Sequence, residues 1–123
     1  MTGPHTIAEP RIAGGVVTAR AVVERDGTTG KVTVSNGAGD IPDGIAADAA
    51  AADGDELSVI TFGEAEVVAA GAININTDVQ SNGDGKVKAV TTGGYVIGRL
   101  KEAATADGHK VRIFVNIVPV AHA

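Results

Sequence analysis

The sequence predicts a mainly β protein, a small single-domain β-barrel or β-sandwich of short antiparallel strands, and three observations predict it. Its apolar residues are 21 Ala, 17 Val and 10 Ile against only 2 Leu. β-Branched side chains pack well on a pleated surface, and the residue most typical of helix cores is nearly missing. Asp-Gly and Asn-Gly dipeptides recur at Asp26-Gly27, Asn36-Gly37, Asp43-Gly44, Asp53-Gly54, Asn82-Gly83, Asp84-Gly85 and Asp107-Gly108. Both tolerate the positive φ of tight reversals. Between them, apolar residues alternate with polar ones or run in short blocks, the two patterns of strands. At 123 residues, one domain is the natural size.

Taken in order, residues 1–11 carry Pro4 and Pro10 and few large side chains, which predicts an extended N-terminal arm ahead of a β domain over residues 12–123. Ala21-Val22-Val23 leads through the turn at residues 26–30 into Lys31-Val32-Thr33-Val34-Ser35, whose alternation predicts a hairpin strand with one wet face. Residues 45–52 hold six Ala around Asp48 without a wide apolar stripe, and are read as a strand starting at Ile45 followed by a loop. Residues 57–62 and 67–70 are apolar on both faces, as are 95–100 and 111–118. Strands of that kind are covered twice, inside a closed barrel or at a subunit contact. Val79-Gln80 leads through residues 81–85 into Lys86-Val87-Lys88-Ala89, a second hairpin.

Composition and motifs narrow the function classes. No apolar stretch approaches the ~20 residues of a membrane helix, because Asp48 and Asn116 interrupt the two longest runs. There is no Cys, and Met1-Thr2-Gly3-Pro4-His5 lacks the basic start of a secretory signal, so synthesis in the cytoplasm is expected. The net charge is −5, with six acids and no base from Asp40 to Glu56, which disfavours a phosphate backbone as partner. Neither Gly30-Lys31 nor Gly85-Lys86 completes a phosphate-binding loop, and no Ser lies in a nucleophile elbow. His5, His109 and His122 have no metal-pair spacing, and surface positions account for them. Asn74, Asn76 and Asp78 alternate as a calcium loop begins, but Val79 stands where its Gly belongs and Gly85 where its Glu belongs. No enzyme, cofactor, metal, nucleic acid or membrane is expected.

Ala, Val and Ile bury less area than Leu or Phe, and small domains hide a lower fraction of their surface. Association is therefore expected to complete the burial. On the last strand Val111, Ile113, Val115 and Ile117 share one face, while Phe114, Asn116 and Val118 share the other and are assigned to an oligomer interface.

Ala13-Gly14-Gly15-Val16-Val17, Gly44-Ile45-Ala46 with the alanine-rich stretch to Gly54 and Leu57-Ser58-Val59, Gly63-Glu64-Ala65-Glu66-Val67, Gly94-Tyr95-Val96-Ile97-Gly98-Arg99-Leu100 and the closing strand resemble the head decoration, or capsid cement, proteins of tailed bacteriophages. The resemblance covers about residues 12–118. The chain departs from it at Ala19-Arg20 and at Asn76-Thr77-Asp78, where the pattern carries Gly. What the resemblance implies is a virion protein on the outer surface of the head, a homotrimer at threefold or quasi-threefold positions that clamps the major capsid protein lattice. In that setting the arm becomes the capsid-binding segment, with Ile7, Ala8 and Ile12 as apolar anchors, His5, Glu9 and Arg11 as polar contacts, and Pro10 restraining the chain. The alternatives are another structural or tail-associated virion β-domain, and a trimeric β enzyme using Asp40, Asp43 or Asp48 across a subunit boundary.

Overall fold

The two hairpins form where the turn residues require them. In the computed structural model, which describes residues 6–36 and 41–120, the strands are β1 Ile7–Ile12, β2 Val22–Arg25, β3 Val32–Val34, β4 Pro42–Ala46, β5 Glu56–Val68, β6 Asp78–Ser81, β7 Val87–Ala89, β8 Gly98–Leu100 and β9 Lys110–Asn116. The described residues contain no helix. The strands form one antiparallel sheet in the order β3-β2-β4-β5-β9-β8-β6-β7, and β1 pairs with β5.

Several boundaries differ from the sequence expectation, each for a tertiary reason. Residues 57–62 and part of 67–70 belong to one long strand, β5, which continues through Gly63 at φ 104°. Glycine adopts that backbone without the Cβ clash of other residues, so the strand is redirected there without ending. β4 starts at Pro42, three residues before the expected start at Ile45, and ends at Ala46, and β8 keeps only the last three residues of 95–100. Of the expected arm, residues 1–5 lie outside the described residues, and residues 7–12 lie along β5 as β1, with Pro10 opposite Ser58 and Arg11 opposite Leu57.

The fold is built twice. The isolated bridges Ala13 with Val32 and Val17 with Ala50 return as Ala69 with Val87 and Ile73 with Ala104. The pairs Val22 with Ile45 and Val23 with Gly44 return as Asp78 with Arg99 and Val79 with Gly98. Loop hydrogen bonds repeat as well: Gly54 N–H donates to Ala13 O and Gly108 N–H to Ala69 O, each at 2.8 Å. Even an exposed ion pair recurs, Lys31 with Asp53 and Lys86 with Asp107, both at 2.9 Å. The first repeat is β1, β2, β3, β4 and the N-terminal half of β5; the second is the C-terminal half of β5 with β6, β7, β8 and β9. One strand thus ends the first repeat and begins the second.

Each repeat buries its own small apolar set. The first centres on Ala13, Val17, Val23, Val32, Ala46, Ala50, Leu57 and Val59. The second centres on the counterparts Ala69, Ile73, Val79, Val87, Leu100, Ala104, Val111 and Ile113, and also takes in Val22 and Ile45 from the first. That addition is the seam between repeats: the outer face of the first repeat is covered by the second.

The two places where Gly was expected are counterparts. Arg20 and Asn76 have φ of 70° and 64°, and their N–H groups donate to Ala46 O and Leu100 O at 2.8 and 2.9 Å. The left-handed turn is kept without the residue that makes it easy, which costs roughly 1–2 kcal/mol for an ordinary side chain and less for Asn. Arg20 also pairs with Glu66, but both side chains are more than a third exposed and such a pair contributes little. Arg20→Gly is therefore expected to raise the thermal midpoint, and Asn76→Gly to raise it less; a lowered midpoint for Arg20→Gly would show that the Glu66 pair outweighs the strain.

Candidate functional site

Among the described residues, none forms a second layer over the outer face of β9 and β8. Asp78 of β6, Val96, Arg99 of β8, Phe114 and Asn116 of β9 and Val118 line an open groove of about 560 Å³. Alternation on β9 puts them there: Val111, Ile113 and Val115 are buried in the core, so Phe114 and Asn116 face out. The three residues read from the sequence as one face, Phe114, Asn116 and Val118, are brought together in this groove. Phe114 also meets Phe62 edge to face, with ring centroids 5.2 Å apart, which fixes the ring in the groove wall. Arg99 donates to Asp78 at 3.1 Å across its floor.

Sequence reasoning did not find Asp78, Val96 or Arg99, which come from other strands and join the groove only through the β6, β8, β9 order. The signal that could have found them is the internal repeat. Gly30-Lys31-Val32 returns as Gly85-Lys86-Val87, and Ala52-Asp53-Gly54 as Ala106-Asp107-Gly108. Aligned on these, Asp78, Arg99 and Phe114 are the counterparts of Val22, Ile45 and Ile60, the apolar face that the seam covers.

The arm residues fall on both sides of β1. Ile7, Ala8, Pro10 and Ile12 are exposed, whereas Glu9 and Arg11 are half-buried. Arg11 donates to Asp43 through Nε and Nη2 at 2.9 and 3.3 Å. That bond, against a smaller opposing effect of burial, holds the guanidinium pKa above its ordinary value. His5 lies outside the described residues, as do Asp40 and His122.

The acids considered for catalysis are occupied structurally. Asp43 holds Arg11, and Asp48 accepts the Ser58 N–H at 3.1 Å. Among the described residues no three metal-ligating side chains cluster, and His109 Nδ1 accepts the Thr105 N–H at 3.0 Å within its own turn. Asn76 turns the chain into β6, so the Asn74, Asn76 and Asp78 alternation serves a reversal.

Asp26 organises the turn between β2 and β3. Its Oδ1 accepts the N–H groups of Thr29 and Thr28, at 3.0 and 2.6 Å, and these donors hold its carboxyl below the usual range. A depressed carboxylate pKa contributes stability that is present above the unfolded-state value and lost as pH falls through the folded one. Below about pH 4 the protection factors of the Thr28 and Thr29 amides should therefore begin to fall, ahead of those in β9. An equal loss of protection in both sets would mean that Asp26 holds nothing locally.

Neither a protein-family model nor a curated protein sequence matches the chain. Among solved structures it is similar to the crystal structure of the head fiber gp8.5 N base of bacteriophage phi29, with a TM-score of 0.69 and 19% identity, over 96% of this chain and 100% of that one. At that identity the likeness establishes the all-β fold.

Proposed function

We propose that this chain is a non-enzymatic structural protein of a phage virion, a decoration protein that sits on the outer surface of the head as a homotrimer and stabilises the major capsid protein lattice. The observation that carries the reading is the end-to-end fold likeness to the head fiber base, a head-associated part of another phage. The decoration-protein resemblance of the sequence adds the outer surface, the threefold position and the clamping role. The exposed N-terminal part of β1 supplies a contact: Ile7 is 47% accessible, with Ala8 and Pro10 beside it, an apolar edge with polar neighbours.

Incubating the purified protein with expanded, undecorated heads and sedimenting them tests the reading. Saturable co-sedimentation, with added density at threefold or quasi-threefold positions, is the expected result. Ile7→Asp should cut occupancy at least tenfold while leaving the fold intact. Association with tails and not with heads would replace this reading by that of a tail-associated virion domain.

A further inference from the structure

We infer that copies of this chain associate head to tail, the groove on the second repeat of one copy receiving the first repeat of the next, as the second repeat receives the first within the chain. This rests on the homotrimer clause of the proposed function and assigns the surfaces that make it.

The seam inside the chain is the template. There, Val22 N–H donates to Gly85 O at 2.9 Å, and a Cβ on Gly85 would meet the Ala21 Cβ at 3.2 Å, so the β6–β7 turn sits directly on the start of β2. Val68 and Ala19 line one crevice beside this contact. Each group has a counterpart at the two ends of the molecule. The donor corresponds to Asp78 N–H and the acceptor to Gly30 O, a carbonyl that accepts from Arg25 Nε at 3.1 Å and has a second lone pair for another donor, while Ala19 corresponds to Ile75 and Val68 to Ile12. Gly30 and Ile12 line one shared open crevice on the first repeat, and Asp78 lines the groove on the second.

Two features say that these ends meet a second copy. Among the described residues the seam is used in one direction only: the outer face of the first repeat is covered, and its counterpart on the second repeat is open, so the two repeats are not related by a twofold axis that would satisfy both. An interface of that kind is heterologous and propagates until it closes into a ring. Two counterpart positions also carry a larger apolar residue where the chain leaves them exposed: Ile75 is 53% accessible and Ile12 39%, where the seam has the half-buried Ala19 and Val68, while the Asp78–Arg99 pair stands in place of Val22 and Ile45.

Complementation tests it. Wild type is expected to sediment as an oligomer at micromolar concentration. Ile12→Asp and Ile75→Asp should each give a folded monomer, with association weakened about 100-fold or more. Mixed at equal amounts they should form a 1:1 dimer, because one undamaged seam remains. A wild type that stays monomeric at 100-fold higher concentration, a variant that keeps the wild-type mass, or a mixture that stays monomeric overturns the inference. As a check that does not depend on a destabilising charge, Ile12→Cys and Ile75→Cys should be joined to each other by a short bismaleimide in this Cys-free chain; cross-linking of either variant preferentially to itself overturns it too. Head binding is read separately. A monomer that coats heads removes the seam alone, and a complementing oligomer that ignores heads removes the capsid reading alone.

Discussion

Gly98→Ala is expected to destabilise the protein by about 3 kcal/mol or more, and Gly98→Val to prevent folding. Gly98 is in β8, opposite Val115, and its Cα faces the β9 backbone. A Cβ there would overlap the Phe114 carbonyl oxygen and stand 2.9 Å from Phe114 C and 3.0 Å from Val115 Cα. Those atoms are main chain inside a ladder, so no side-chain rotation relieves the clash. The counterpart, Gly44 in β4, faces β5 in the same way: a Cβ would overlap the Ile60 carbonyl oxygen and stand 3.0 Å from Ile60 C, and of the three nearest atoms the Val59 Cγ1 at 2.8 Å alone belongs to a side chain. Gly44→Ala should therefore cost nearly as much. Urea unfolding of both alanine variants measures this, and a loss under about 1 kcal/mol at either site would show that the strands separate easily there.

These two glycines show what was readable in the sequence and what was not. The hairpins of residues 22–34 and 79–89 follow from local turn chemistry and alternation, so they could be read directly. Gly44 and Gly98 could be read as punctuation, but not as the points where two strands approach most closely, because the partner carbonyls lie 16 residues further on in each repeat. The continuity of β5 was hidden for a similar reason: Gly63-Glu64 looks like a break, and only pairing with β9 on one half and β1 on the other holds the strand through it. β1 itself has no alternation of its own, and its position is set by β5. In the groove, Phe114, Asn116 and Val118 followed from the parity of one strand, whereas Asp78 and Arg99 needed the strand order. The repeat was present throughout, but its halves differ at many of the positions that decide burial, which is what lets one face be covered and its counterpart stay open.

The strongest test of that divergence is a swap between counterpart positions. Arg11 and Asp43, each with a side chain only 13% accessible, form an ion pair in the first repeat. Their counterparts in the second are Val67 and Ile97, both fully buried in one apolar cluster. The same fold therefore holds an ion pair at one copy of the site and a hydrophobic pair at the other. Removing one partner of a largely buried pair strands the other, whereas replacing both with packed apolar residues is often neutral or favourable by about 1–4 kcal/mol. Arg11→Val alone should then cost about 2–3 kcal/mol, because the Asp43 carboxylate loses its donor. Arg11→Val with Asp43→Ile should return to within about 1 kcal/mol of wild type or exceed it, giving a double-mutant coupling of several kcal/mol in dilute solution. A double variant as unstable as the single one would mean that the first repeat cannot pack as the second does, and the ion pair would then be a requirement of its geometry rather than an exchangeable filling of a shared site.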